Sequence, residues 1–387
     1  MGAQVASPFI ALLCTTHAWG GIEINTLRLG VQLRERGRRC VIVASDGSPL
    51  HRESVAAGCD VLPLMHPAQY GDVRNARRVR RALAEAGAAV LVANATRDLN
   101  LAVLARGGSR ASHRSVLRLV VMQHMQIGVD KRDLLHRWHF ARVDAWIAPL
   151  PSLALQTRER TTMTADRIHV IPFGIALERF SASDAPSRRA ARRALDLPID
   201  VPLIGVIGRL DYGKGQEYLV QALSLLVHDG VDAHVLIVGE ETRGELQGYD
   251  AVLHSLVAER KLHDRVHFRV FTRDVTSVYR CLDVFALTSL AETYGMVTIE
   301  AMASALPVVA TRSGGTPDII RDGETGLLVP PADARALADA LARLLADPAY
   351  AADLADAARE DALRRFSREV ACDRYEAVFR SVVTRSS

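Results

Sequence analysis

Lysine is almost missing from this chain of 387 residues, which has only Lys131, Lys214 and Lys261 and carries nearly all its positive charge on arginine. Cysteine is scarce as well. The five thiols (Cys14, Cys40, Cys59, Cys281, Cys372) are odd in number and sit mostly within apolar runs, with no CxxC or Cys/His cluster. That pattern argues against a disulfide framework or a metal site and for reduced thiols in a cytosolic protein. Long apolar runs are absent too. No stretch of 18 uninterrupted apolar residues occurs, so no membrane-crossing helix is expected. The first apolar run, residues 9–14, has no basic residue before it. It is too short for a span and poorly flanked for a secretory leader, and reads as a first β-strand. A GxGxxG turn is also lacking, which makes an NAD-dependent oxidoreductase a distant reading.

What is present is ample for two cores: 49% of the residues are hydrophobic, and the length suggests two domains of ordinary size. Apolar strand-like runs at 9–14, 40–44, 61–64, 89–93, 116–122, 145–148 and 168–171 alternate with helical stretches. A segment rich in Ser, Pro, Ala and Arg follows over 181–202. The alternation then restarts, with strands at 203–207, 235–238, 266–271, 284–288, 307–310 and 326–329 and helices at 216–227, 249–260, 295–304 and 334–346. Two such β/α runs predict an α/β protein with two Rossmann-like domains facing across a cleft, the boundary lying near 173–200. The net charge of +4 hides an asymmetry, because residues 1–173 carry +10 and the remainder −6. Arg74, Arg77, Arg78, Arg80 and Arg81 fall on one expected helix, 72–86. This face suits an anionic substrate or bilayer surface, the alternative being a solvated arginine-rich face.

The chemistry gathers where strands end, the edge at which open α/β sheets bind ligands. Glu292 follows the 284–288 strand in a loop, and Glu300 lies about one turn inside the helix opened by Gly295. The rise from Gly295 to Glu300 is about 7 Å, roughly one ribose between a phosphate at the helix start and a bonded hydroxyl. The plainer alternative is a helix cap at Glu292 and a solvated Glu300. Gly205-Val-Ile-Gly-Arg-Leu-Asp-Tyr-Gly-Lys-Gly215 puts Arg209 and Lys214 around a turn that enters a helix, two cations suited to a pyrophosphate. Gly314-Gly-Thr-Pro-Asp318 sits at the same edge, and its glycines permit close approach to a ligand. In the first half, Gly20-Gly21 ends the first strand's exit loop, preceded by His17 and Trp19. His124 follows the 116–122 strand, where it reads either as a satisfied histidine or as a neutral imidazole bonding a sugar hydroxyl.

Taken together, Gly20-Gly-Ile-Glu23, Val170-Ile-Pro-Phe-Gly-Ile-Ala-Leu-Glu-Arg-Phe180, Gly208-Arg209 with Lys214-Gly215, and Glu292 eight residues before Glu300 resemble the retaining GT-B glycosyltransferases of family 4. Gly314-Gly-Thr-Pro-Asp-Ile-Ile and Gly323-Glu-Thr-Gly-Leu-Leu-Val329 add to the resemblance, which is strong over 203–346 and weaker over 45–115. It implies a GT-B fold with an acceptor-side domain at 1–175, rejoined by a last helix at 368–387, and a nucleotide-sugar domain at 176–367. It further implies that Arg209 and Lys214 bind the donor diphosphate and that Glu300 holds the ribose. Tyr294, Gly295 and Met296 would present amides to the sugar or β-phosphate, with Gly20 and Gly21 closing on the diphosphate. Glu292 and His124 would meet the donor sugar as catalytic residues. No metal or other cofactor is expected, and no nucleic-acid partner. The expected acceptor is a cell-envelope glycan or glycolipid, as in lipopolysaccharide or exopolysaccharide assembly, and the expected location is cytoplasmic with the anionic inner-membrane surface as a candidate partner. Phe173 and Ala176 depart from the family's usual Asn-Gly-Val/Ile-Asp, and Asp318 stands where Glu is commoner. Rival readings are a nucleotide-sugar epimerase, a glycogen-type synthase, and a non-catalytic nucleotide-sugar-binding protein.

Overall fold

A computed structural model describes residues 8–107, 117–241, 248–272 and 274–384. The chain divides into two compact units, Met1–Gly174 with Glu369–Ser387, and Ile175–Arg368.

The first unit is a parallel sheet of β1 (Ile10–Cys14), β2 (Cys40–Ser45), β3 (Asp60–Leu64), β4 (Val90–Ala93), β5 (Arg118–Met122), β6 (Ala145–Ala148) and β7 (Ile168–Val170). Their spatial order is β3-β2-β1-β4-β5-β6-β7. β1 is buried throughout because it lies at the centre, with Leu12 opposite Ile42 on one side and Val92 on the other. Helices on both faces of a parallel sheet require apolar residues on both sides of each strand, hence the unbroken apolar runs in place of alternation. The strand order reverses between β1 and β4, the switch point at which such sheets open a crevice. Helix Arg368–Thr384 belongs to this unit from Glu369 onward. It is fastened by Arg36 to Asp373 at 2.5 Å, Arg38 to Glu376 at 2.9 Å, and the Tyr375 hydroxyl donating to the Pro172 carbonyl at 3.2 Å.

The second unit repeats the plan with β8 (Leu203–Ile207), β9 (His234–Val238), β10 (Val266–Arg269), β11 (Val284–Leu287), β12 (Val308–Thr311) and β13 (Leu327–Val329), ordered β10-β9-β8-β11-β12-β13. Its switch point lies between β8 and β11. At Gly205 a Cβ would stand 2.3 Å from Leu282 Cδ1, so the central strand lacks a side chain where that leucine packs. Among the described residues no helix is long and apolar enough to cross a membrane, and all five cysteines are free thiols.

Most strand and helix ends lie within a residue or two of the sequence reading, and the larger differences are these. β10 stops at Arg269, leaving Val270 and Phe271 exposed beyond the sheet. β5 starts at Arg118, and Val116 lies outside the described residues. Helix Pro348–Phe366 is additional. Asp347 accepts from the Tyr350 amide and Pro348 occupies the first turn, so a new helix starts where residues 334–346 end. Its buried face is mostly alanine, which leaves a weak apolar period.

Candidate active site

Two loops meet at the carboxyl edge of the second unit's switch point. After β8 the chain runs through Gly208 and Arg209 into a tight turn, Tyr212–Lys214, and then helix Gln216–His228. Gly215 takes φ +63°, and a Cβ there would sit 2.4 Å from the Thr288 carbonyl oxygen, so this loop lies directly on the end of β11. Thr288 Oγ1 donates to the Lys214 carbonyl at 2.8 Å, and the Leu290 amide to Gly213 at 2.8 Å. The loop after β11 carries Glu292 and ends at Gly295, whose φ of +74° starts helix Met296–Ala303.

Between them lies a cavity of about 200 Å³ lined in part by Arg209, Lys214, Gln216, Glu292, Gly295 and Met296. Lys214 Nζ donates to Glu292 Oε2 at 2.8 Å, with side-chain exposures of 26% and 12%. Ser289 Oγ donates to the same oxygen at 3.1 Å. Glu292 is therefore held from two sides, and helix Met296–Ala303 has no side-chain cap. The reading of Glu292 as a helix cap does not hold. Arg209 pairs with Asp211 at 3.5 Å. The first amides of helix Met296–Ala303, unbonded within the helix by geometry, open on the same cavity and add partial positive charge.

Glu300 does not line this cavity. It is half-buried, and the Tyr279 hydroxyl donates to its Oε2 at 2.9 Å and to the Val297 carbonyl at 3.1 Å. Burial pushes the Tyr279 phenol well above its ordinary pKa, with the Glu300 charge adding, so this group stays a donor. A solvated-face reading of Glu300 fails for the same reason. Tyr294 is buried against the unit and lies outside the cavity lining.

The 314–318 turn packs on the loop that carries Glu292. At Gly314, φ is +54° and a Cβ would stand 1.9 Å from the Glu292 carbonyl oxygen, while the Gly315 amide donates to that oxygen at 2.7 Å. The close approach the structure shows is to the backbone of Glu292. Gln216 was not singled out from sequence, because one Gln at a helix start carries no pattern. It is 1% exposed, its Nε2 donates to the Arg209 carbonyl at 2.8 Å, and its Oε1 is buried without a hydrogen-bond partner beside the cavity. A larger cavity, about 560 Å³, lies at the opposite edge of the sheet. Its Arg188 and Arg192 are committed to Asp283 at 3.0 and 2.5 Å, which makes it a structural ion cluster.

In the first unit, Gly20 is extended and starts helix Gly21–Glu35. Glu23, 2% exposed, accepts from the Gly20 amide at 2.9 Å and from Thr16 Oγ1, fixing the glycine loop. Asp98 anchors the same loop through the Thr15 amide at 2.9 Å and the Thr15 hydroxyl, and burial raises its carboxyl above the usual range. His17 and Trp19 are exposed. His124 leaves β5 just after Gln123, whose Oε1 accepts from Trp146 at 3.0 Å and Thr157 at 2.9 Å. The imidazole stacks on Phe173, with centroids 4.7 Å apart and planes at 18°. Although the residue is part-exposed, its Nε2 is shut off from solvent without a partner, and burial pushes its pKa down to about 3.

Comparison with known proteins follows the same division. The family described as Glycosyltransferase Family 4 matches residues 19–179, and the one described as Glycosyl transferases group 1 matches residues 187–361. D-inositol 3-phosphate glycosyltransferase of Corynebacterium urealyticum is 34% identical over 222 residues, 56% of this chain and 52% of the relative. The lipopolysaccharide core biosynthesis glycosyltransferase LpsE of Rhizobium meliloti is 35% identical over 48% of this chain and 51% of its own. The chain thus spans about half the length of these curated relatives. Anabaena Alr3699/HepE, solved in complex with UDP, superposes with a TM-score of 0.84 at 22% identity, covering 96% of this chain and 100% of that one. At that identity the likeness shows the shared GT-B fold. With both halves of the chain matched in order, it belongs to glycosyltransferase family 4, of the group 1 type.

Proposed function

We propose that this chain is a retaining glycosyltransferase that moves a sugar from a nucleoside diphosphate sugar to a cell-envelope glycan or lipid-linked acceptor. The observation that carries the reading is the cavity in which Arg209, Lys214 and a helix N-terminus surround one space beside Glu292. A diphosphate needs that density of positive charge, and the charge is best preorganised, as it is here by buried backbone contacts. The UDP bound to HepE, in a fold shared over nearly the whole chain, supports the donor class. LpsE supports an envelope glycan acceptor.

In this reading Lys214, Arg209 and the amides of Gly295 and Met296 stabilise the departing diphosphate, and Glu300, oriented by Tyr279, takes the ribose hydroxyls. The bond from the anomeric carbon to the β-phosphate oxygen breaks, and its electron pair leaves with the phosphate. The acceptor oxygen bonds the same face of that carbon, and its proton passes to the departing phosphate. Glu292 orients the sugar; its ion pair and its Ser289 bond describe a held carboxylate. For the first unit, Gly20, Gly21 and His124 are proposed to act on the donor as the family resemblance implies. No metal is required, because the cations and helix amides carry the leaving-group charge. The location is cytoplasmic, at the anionic inner-membrane surface.

The test is a thermal-shift panel of UDP-, GDP- and ADP-sugars, since a bound donor raises the unfolding midpoint. It is followed by measurement of nucleotide release with envelope acceptors, with and without EDTA. Release that is acceptor-dependent, unaffected by EDTA and lost in Glu292→Ala and Lys214→Ala is the expected result. Donor binding without turnover across acceptors would overturn the reading in favour of a binding protein.

A further inference from the structure

The carboxyl ends of β11 and β12 carry four buried hydroxyls, on Thr288, Ser289, Thr311 and Ser313. Leu287 stands opposite Ala310 in the ladder, so Thr288 and Thr311 come next on the two strands. Beyond the ladder a carbonyl has no neighbouring strand amide, and a buried carbonyl without a donor is costly. One hydroxyl would meet that need at Ser289. Its carbonyl receives two, Thr311 Oγ1 donating at 2.6 Å and Ser313 Oγ at 2.8 Å. Both come from the segment whose Gly315 amide donates to the Glu292 carbonyl at 2.7 Å. The loop is thus fixed at Ser289 and again at Glu292.

What this brace holds are the two partners of the ion pair. Thr288 Oγ1 donates to the Lys214 carbonyl at 2.8 Å, while Ser289 Oγ donates to Glu292 Oε2 at 3.1 Å. Lys214 Nζ reaches the same Oε2 at 2.8 Å, so both bonds fall on one oxygen and leave Oε1 clear of them. A hydroxyl bonded to a carboxylate ordinarily stands at about 2.5–2.7 Å. The serine bond is therefore long, and the lysine takes the nearer place. A diphosphate in the cavity draws the ammonium toward itself. Ser289 is then the side-chain donor left on Oε2, with room to close, and its fixed backbone lets it close without carrying the loop along.

We propose that Ser289 is a positioning residue for the donor sugar: it retains Glu292 by Oε2 as Lys214 turns to the diphosphate, so that Oε1 is presented to a sugar hydroxyl. Thr311 and Ser313 act through Ser289, and Thr288 keeps the lysine's turn in register with it. A binding oxygen must be held within about 0.5 Å of its productive place, which takes a second layer of hydrogen bonds. This assignment rests on the donor site of the proposed function and deepens it, by naming what holds the carboxylate once its ion pair is broken.

The experiment is isothermal titration calorimetry with a nucleoside diphosphate and with its sugar conjugate, taking the pair that binds best in the thermal-shift panel. The full chain is compared with Ser289→Ala, Thr311→Val/Ser313→Ala and Thr311→Ser, and kcat and the urea midpoint are measured beside the affinities. Ser289→Ala should weaken the sugar conjugate about tenfold and the diphosphate alone no more than about twofold, and lower kcat about thirtyfold. Thr311→Val/Ser313→Ala should show the same sugar-selective loss with the serine hydroxyl still present. Thr311→Ser keeps the donor and should stay near wild type. If the double variant does not fold, Ser289→Ala, which deletes a single oxygen, decides alone. Equal loss of both ligands in Ser289→Ala overturns the proposal, and so does a lowered urea midpoint with both affinities unchanged. Sugar-selective loss without transfer to any acceptor would count against the proposed function and leave this assignment standing. Acceptor-dependent transfer at the wild-type rate in Ser289→Ala would do the reverse.

Discussion

Replacing Glu292 with glutamine and Lys214 with methionine should move nucleoside diphosphate binding in opposite directions. Lys214 Nζ is occupied by Glu292 Oε2 at 2.8 Å, within the cavity proposed to hold the diphosphate. A bound diphosphate must draw on the same ammonium and tolerate the neighbouring carboxylate. A hydrogen bond between charged partners contributes about 1.5–3 kcal/mol. The Lys214 side chain is 26% exposed, so solvent screening brings this pair to about 1–2 kcal/mol. Glu292→Gln keeps the shape and the Ser289 contact while releasing the lysine. It should tighten binding of the diphosphate alone by up to about fivefold, the equivalent of about 1 kcal/mol, while transfer is lost. Lys214→Met should weaken binding by about thirtyfold, or about 2 kcal/mol, because a phosphate contact is lost and the negative carboxylate remains. Stability is asymmetric too, for the methionine variant leaves a largely buried carboxylate with only Ser289 as its side-chain donor and should cost more in a urea titration. Isothermal titration calorimetry at fixed salt with the best-binding nucleotide decides the matter. If Glu292→Gln weakens binding as much as Lys214→Met, the pair is itself the binding structure and the competition argued here is wrong.

Tyr279→Phe removes the one hydroxyl proton shared between Glu300 Oε2 and the Val297 carbonyl without opening a cavity, and should cost about 1–3 kcal/mol in urea unfolding. It should also lower donor affinity through a loosened Glu300; an unchanged urea midpoint would mean that the 2.9 Å contact carries no free energy. Gly314→Ala and Gly323→Ala both place a side chain at positive φ, but only the first meets backbone, 1.9 Å from the Glu292 oxygen. Gly323→Ala should therefore cost only about 1–2 kcal/mol of left-handed strain. Gly314→Ala should cost more and abolish nucleotide binding, and equal costs would refute the close approach. His124 titrates at about 3 when folded, below its ordinary value of 6.5, so between these values the unfolded chain binds the extra proton. Stability from this group is full above about pH 6.5 and falls on acidification by up to about 1.4 kcal/mol per pH unit. His124→Gln should flatten that part of the urea midpoint against pH, and superimposable curves would show that the imidazole is not buried neutral.

Strand positions were legible because every central strand is buried on both faces, which forces apolar runs that nothing else in the chain imitates. The carboxyl ends of the strands followed from those runs, and with them the edge carrying Arg209, Lys214, Glu292 and Glu300, whereas the strand order that sets the switch points did not. What was not legible is pairing between distant residues. Nothing local to Tyr279 marks it as the donor to Glu300, since the two lie 21 residues apart on separate helices and meet only in the folded unit. Asp98 reads as an ordinary acidic residue until Thr15 is folded over it, and Glu23, quoted only as the end of the Gly20-Gly-Ile-Glu motif, shows its duty once Thr16 and the Gly20 amide bond it. Gly314 showed the limit of composition: a glycine needed for close approach does not say what approaches it.

The departure at Phe173 bears on how charge is shared in the proposed reaction. The family resemblance places a polar side chain there, which would hydrogen-bond or solvate its surroundings. Here an apolar ring stacks on His124 at 4.7 Å and helps to exclude the water that would support an imidazolium. The imidazole is consequently neutral at physiological pH, with one ring nitrogen a donor and the other an acceptor. In that state it bonds a hydroxyl in either sense but offers no positive charge to a diphosphate. In the proposed reaction the side-chain positive charge offered to the leaving group then comes from Arg209 and Lys214 of the second unit, beside the first turn of helix Met296–Ala303. That division agrees with where the cavity lies and with Lys214, one of only three lysines in the chain, lining it beside Arg209.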